Sequence, residues 1–277
     1  MTRSFDGKAI AITGAGSGIG RALARGLAAR GAHLALADWD EKGLAETAEL
    51  LGTTPTVAVR TDVSDRESVA RFAALAAERF GVVHQIYNNA GIAGANAPIG
   101  RQTYEETARV LSVNLWGVIH GTTEFLPHLI RSGDGHVVNL SSLNGFMAQP
   151  QLSAYVTSKF AVRGYTETLR TEMLRDRLPV KVTVVHPGGV KTSIGKHETP
   201  EGATAVSAKD EARLKVYNEK LFKTTAEDAA AQILRAVEKG RPRVLIAQAR
   251  TYDRLVRMLP SSYPQLIADW DRRTFGA

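Results

Sequence analysis

Tyr155 and Lys159 stand four residues apart in SAYVTSKFAV, and Ser142 lies thirteen residues before Tyr155 in VVNLSSLNG. Residues four apart on a helix share a face, so the phenol and the ammonium would point into one site. A free tyrosine has a pKa of about 10, too high for an efficient base near neutral pH. An ammonium about 5 Å away, at an effective dielectric of about 20, favours the phenolate by roughly 3 kcal/mol, or about two pKa units. Tyr155 then becomes a group that takes a proton from a hydroxyl in one direction and returns it in the other. Ser142 can hold the reacting oxygen and stabilise charge developing on it. Each residue alone is ordinary: such a pair is commonly an exposed helix pair, and Ser141 and Ser142 can simply end a strand. As a set they are proton-transfer chemistry awaiting a redox partner.

The N-terminal stretch AIAITGAGSGIGRALARGLAARGAHLALADWD supplies one. A short apolar strand runs into a turn holding Gly14, Gly16, Gly18 and Gly20, then a helix, then a second strand ending in Asp38. Glycine permits the tight turn and lets backbone N–H groups approach a pyrophosphate at a helix N-terminus, where the dipole favours anions. The spacing is not G-x-G-x-x-G, because Ile19 fills the third slot. Asp38 can accept hydrogen bonds from both hydroxyls of an adenosine ribose and would repel a 2′-phosphate, or it caps the helix starting near Glu41.

Together these segments resemble the short-chain dehydrogenase/reductase family in its NAD(H)-using form, over roughly residues 5–247. Thr13 to Gly20 fits that family's T-G-x-x-x-G-x-G. The resemblance implies NAD as cofactor, held by Gly14, Ser17, Gly18, Ile19, Gly20, Asp38 and Trp39 at one end. Ser17 and Trp39 stand where NADP-preferring relatives often carry basic residues. Asp62 and Val63 would lie along the adenine, with Asp65 capping the next helix. Asn89, Ala90 and Gly91 of NNAG would hold the sheet's edge and the adenosine side. Pro187, Gly188, Val190 and Thr192 of HPGGVKT would hold the nicotinamide and pyrophosphate, presenting the nicotinamide's B face. Asn114, Ser142, Tyr155 and Lys159 would be catalytic. Lys159 would also bind the nicotinamide ribose, and Asn114 would hold a relay water beside it. Ser142, Leu143 and Tyr155 would touch substrate. One departure is His84, near where relatives usually show an aspartate; a lone histidine there reads as a structural hydrogen-bonder.

Strand patterns KAIAIT, AHLALA, TVAVR, VHQIYN, GHVVNLS, KVTVVH and RVLIA alternate with amphipathic helices. This predicts an α/β fold: one Rossmann-type domain over 1–277, a doubly wound parallel sheet of seven strands with helices on both faces. The chain has no cysteine, which excludes disulfides and thiolate metal sites, and its seven histidines show no paired metal spacing, so no metal is expected. No run of 18 apolar residues occurs and no signal-peptide pattern opens the chain, so a soluble cytoplasmic protein is expected. The net charge of +7 is dispersed except from Arg241 onward, where seven arginines face three aspartates. No nucleic-acid motif accompanies it.

Substrate identity should be set by three stretches. Residues 193–225 would form a lid, with Leu214, Tyr217 and Leu221 at helical spacing. Leu143, Phe146, Met147 and Leu152 either line a roomy apolar pocket or pack under that lid. Lys191 and Lys196 remain candidates for a substrate carboxylate. The tail, 249–277, carries Tyr252, Leu255, Met258 and Leu259, then Leu266, Ile267 and Trp270. Its apolar face must bury against a neighbouring subunit, the chain's own lid, or, through Arg250, Arg254 and Arg257, an anionic membrane surface. The family's habit favours a homo-oligomer, a tetramer or else a dimer, without nucleic-acid partners or membrane insertion. The expected activity interconverts a secondary alcohol and a ketone. A non-catalytic dinucleotide sensor, and a same-fold epimerase or dehydratase with tightly held NAD, fit the same residues.

Overall fold

The seven apolar runs become seven strands: β1 (Ala9–Thr13), β2 (His33–Asp38), β3 (Thr56–Arg60), β4 (Gln85–Asn88), β5 (Gly135–Leu140), β6 (Val180–His186) and β7 (Arg243–Leu245). The computed structural model describes residues 5–191 and 223–275. Thr192, Lys196 and the expected lid helix therefore lie outside the described residues. All pairings are parallel, in the order β3-β2-β1-β4-β5-β6-β7. Strand order reverses between β1 and β4, and the crevice at their carboxyl ends is where such sheets bind ligands.

Alternation along β1 shows why the runs are apolar throughout. Ile10 and Ile12 pack with Leu23 and Leu27 of α1 (Gly18–Ala28) and with Ile233 and Leu234 of α7 (Ala226–Glu238). Ala11 faces the other layer, where Phe72 of α3 (Arg66–Phe80) meets Phe125 of α5 (Gly117–Arg131) edge-on at 5.3 Å. A strand covered on both faces has no polar side to show. Each fully buried Leu, Ile or Phe contributes roughly 1.5–3 kcal/mol.

Helix starts are set by local hydrogen bonds. The Asp65 carboxylate accepts from Glu67 N–H at 3.0 Å, as expected, and Thr225 accepts from Asp228 N–H at 3.0 Å to open α7. Thr103 does the same for α4 (Tyr104–Leu111), accepting from Glu106 N–H at 3.1 Å. A π turn over Ser112–Trp116 joins α4 to α5 and carries the buried Asn114. Such turns recur at functional sites. His84 is structural: its Nδ1 accepts from Ala9 N–H at 3.2 Å, and burial lowers its pKa.

The tail forms α8 (Ala249–Met258) and α9 (Tyr263–Phe275). Part of its apolar face is covered within the chain. Ala249 and Ile267 are buried with Phe146 and Met147 of the same chain, and Tyr252, Val256 and Tyr263 pack around them. The buried stripe also differs from the expected one, since Met258 is 79% exposed. The reason is Asp253, which is buried on this face by two hydrogen bonds from Arg243, at 3.0 and 2.7 Å. No helix among the described residues is long and apolar enough to cross a membrane.

Candidate active site

The glycine-rich turn is stitched to the end of β4 by the Thr13 and Asn89 side chains, each bonded to main chain. Thr13 Oγ1 accepts from Asn89 N–H (3.1 Å) and Ala90 N–H (3.2 Å), while Asn89 Nδ2 donates to the carbonyls of Thr13 and Gly14, both at 3.0 Å. Gly14 has φ +67°, and a Cβ there would lie 2.8 Å from Ala90 Cα, so only glycine fits. Asp38 Oδ2 accepts from Gly16 N–H at 2.7 Å and Oδ1 from Asp40 N–H at 2.9 Å. The residue preceding α2 (Glu41–Leu50) is Asp40, so Asp38 does not cap that helix; it anchors the glycine turn. The Arg60 guanidinium stacks 4.2 Å from the centre of the Trp39 ring.

At the other end, α6 (Ser153–Arg175) brings Tyr155 and Lys159 together, with Lys159 Nζ 5.6 Å from the centre of the Tyr155 ring. Lys159 Nζ donates to the Leu140 carbonyl at 3.1 Å. Burial lowers the Lys159 pKa to about 8. Burial pushes the Tyr155 phenol up, and the Ser142 hydroxyl beside it pulls the other way more weakly. Desolvation thus opposes the downward pull on the phenol that Lys159, together with the positive charge of an oxidised nicotinamide, is expected to exert. The Asn114 side chain is committed, accepting from Ile92 N–H (2.8 Å) and donating to Ile92 C=O (2.8 Å) and Ser158 Oγ (3.1 Å).

One cleft of about 900 Å³ joins the two ends. Gly14, Ser17, Gly18, Ile19, Asp38, Trp39, Asp62, Val63, Asn89, Ala90 and Gly91 line one part. Ser142, Leu143, Tyr155, Lys159, Pro187 and Val190 line the other. Among the described residues, three expected ones do not line it: Gly20 packs against the Gly14 carbonyl, Gly188 against Ala249, and Asn114 is buried against Gly91 and Ser158. Leu143, Met147 and Leu152 line the cleft, whereas Phe146 packs edge-on to His186 at 5.2 Å. Lys191 is exposed and outside the lining. Among the described residues no cluster of His, Asp or Glu could hold a metal.

A family model described as short chain dehydrogenase matches residues 8–202. SadH of Mycobacterium tuberculosis H37Rv, an oxidoreductase by name, is 47% identical over 270 residues, covering 96% of this chain and 95% of SadH. The chain belongs to the short-chain dehydrogenase family. It is an oxidoreductase in class. Levodione reductase of Leifsonia aquatica is 37% identical over 195 residues, 69% of this chain and 72% of that protein. A short-chain dehydrogenase/reductase from Burkholderia phymatum, crystallised with NAD, aligns with a TM-score of 0.86 at 32% identity, covering 95% of this chain and 96% of that one.

Several groups around this short-chain dehydrogenase site were not singled out by sequence. Ser158 ties Asn114 to α6 by donating to the Tyr155 carbonyl at 2.7 Å. His186 is fully buried, and its Nδ1 lies 2.7 Å from the Ser142 carbonyl. Burial lowers its pKa to about 4, so the neutral ring donates there. Its place in HPGG, at the end of the strand beside Ser142's strand, was the available signal. Gln248, just before the tail, also reaches the cleft; Tyr252, Ile267 and Trp270, expected on the tail's apolar face, reach it too.

Proposed function

We propose that the protein is an NAD(H)-dependent oxidoreductase that interconverts a secondary alcohol and a ketone. The observation that carries this reading is the joint lining of one cleft by Asp38 at one end and Ser142, Tyr155 and Lys159 at the other. The cradle suits a dinucleotide. The Gly14 main chain leaves no room for a side chain, the N-terminus of α1 opens on the cleft at Ser17 and Gly18, and the Asp38 carboxylate stands where a ribose diol would be read. A 2′-phosphate there would meet that carboxylate, which favours NAD over NADP. The Burkholderia relative solved with NAD supports the same choice.

Bound NAD would supply the hydride acceptor, and NADH the hydride donor. The chain's own residues handle the oxygen and its proton. The Ser142 hydroxyl donates to the substrate oxygen as negative charge develops on it. Tyr155 takes the hydroxyl proton in oxidation and returns it in reduction. Burial raises the phenol, so its activation rests on cationic charge brought close to it. Lys159 is one source, and its lowered pKa leaves it able to release a proton near pH 8. Asn114 fixes the segment opposite through Ile92.

The family's habits extend the proposal to a cytoplasmic homo-oligomer, which light scattering on the purified chain tests. The deciding experiment for the activity is a panel of secondary alcohols and ketones followed at 340 nm with NAD(H) and NADP(H). Turnover with NAD is expected. NADH binding without turnover of any carbonyl would turn the reading into a sensor, and NAD released only on acid denaturation would turn it into an epimerase or dehydratase.

A further inference from the structure

We infer that the C-terminal helix pair selects the substrate, and that the substrate class is a secondary alcohol or ketone carrying an apolar ring. This rests on the oxidoreductase reading and names the substrate class for it. The pair lies beyond the residues matched by the family model, which end at 202.

The wall is built from both sides. Tyr252 of α8 and Ile267 and Trp270 of α9 line the cleft together with Leu143, Met147 and Leu152 from the stretch after Ser142. They belong to the Ser142 end, because the tail is buried there: Ile267 packs with Met147, and Tyr263 OH accepts from Ala148 N–H at 3.2 Å. Aromatic and aliphatic side chains in this arrangement give a ring its largest contact area.

The described charges do not compete with that reading. Of the tail's charged residues, Asp253 is turned away to Arg243 and Arg257, and none lines the cleft. Arg109, which does line it, gives two N–H groups to Glu106, both at 2.9 Å. Among the described residues, that end therefore offers a carboxylate or phosphate no cation besides Lys159 and Arg109, and both are engaged by protein acceptors.

The wall is also held in register with the reacting end. Arg243, held by Asp253, lies 5.5 Å from the centre of the Phe146 ring; Phe146 packs on His186, and His186 holds the Ser142 carbonyl. A wall fixed this way can discriminate, because its side chains need no ordering when substrate arrives.

The test compares 1-phenylethanol with 2-butanol at saturating NAD, in Tyr252→Ala, Trp270→Ala and, as a control on the exposed face of α8, Met258→Ala. Losing one apolar wall should lower kcat/KM for 1-phenylethanol by about tenfold or more, mostly through KM. For 2-butanol and for Met258→Ala the change should stay within about twofold. Equal losses for both alcohols, or none, would overturn the proposal, as would a parent enzyme that prefers a 2-hydroxy acid to 1-phenylethanol. If Trp270→Ala does not fold, Trp270→Leu keeps apolar bulk and should show the same selective loss; no selective loss there counts against the wall. Binding gives a readout independent of turnover. With Trp39→Phe and Trp116→Phe, Trp270 is the only remaining tryptophan of the three, and acetophenone should quench its fluorescence, an effect that Tyr252→Ala should weaken. Quenching with no turnover by the parent enzyme would sink the oxidoreductase reading and leave the ring site standing; turnover by the parent without quenching would do the reverse.

Discussion

At the nucleotide end the main chain is what is held: the Thr13 and Asn89 side chains tie Thr13, Gly14, Asn89 and Ala90 together by hydrogen bonds in which every link has a backbone partner. At the substrate end the wall is made of side chains from separated stretches, Leu143 to Leu152, Tyr252, and Ile267 to Trp270, fixed by one buried carboxylate between arginines. The first arrangement demands particular residues, glycine above all, because backbone atoms approach too closely for a Cβ. The second demands only volume and polarity, which many residues supply. A shared cofactor needs the same main-chain cradle, whereas a substrate can be changed by repacking a wall.

The sharpest way to break that division is to remove one atom from the substrate side. Tyr155→Phe should lower turnover by about 10²–10⁴-fold, the usual worth of a positioned acid or base, while NADH affinity by fluorescence stays near that of the parent. Because burial holds the phenol above its ordinary value, oxidation by the parent should keep accelerating from neutral into alkaline pH. A variant retaining more than about a tenth of the rate would remove Tyr155 from the role of base.

The converse substitution acts only at the nucleotide side. Asp38→Ala deletes a like-charge repulsion and the ribose acceptors, so the preference for NAD over NADP, expected at on the order of 100-fold, should erode. The ratio of 1-phenylethanol to 2-butanol rates should not move. Equal kinetics of the parent with NAD and NADP would contradict the reading of Asp38, and Arg60, stacked on Trp39, would then be the cation to test next.

The same division explains what could be read from the chain. Ile10, Ile12 and Ala11 announce a strand covered on both faces, and the glycine turn followed by Asp38 announces the cradle, because each signal is local. The tail was legible as amphipathic but not in its facing. A hydrophobic pattern scores Met258 as buried and Asp253 as exposed, and the pairing of Asp253 with Arg243 on β7 reverses both. The direction of the Tyr155 shift was also out of reach, since desolvation depends on what surrounds the phenol rather than on the lysine four residues away.

The smallest expected effect concerns the joint between the two ends, His186. Its folded pKa is about 4, lowered by burial first and by the charges of Arg243 and Arg163 as well, against an unfolded value of about 6.5. Between those values the unfolded chain binds a proton that the native chain refuses, so stability rises with pH across this window and is flat above it. On acidification the protein should lose about 1.4 kcal/mol per pH unit from His186 between roughly pH 6 and pH 4. His84 and His128 shift in the same direction, so the informative quantity is the difference from a variant. His186→Asn should be less stable than the parent at pH 7.5, because packing on Phe146 and the bond to the Ser142 carbonyl are weakened. Its denaturant midpoint should then fall less steeply from pH 6.5 to pH 4.5, bringing the two proteins closer together. Parallel pH profiles would mean that His186 takes up its proton without cost, and that the contact with Ser142 is looser than 2.7 Å implies.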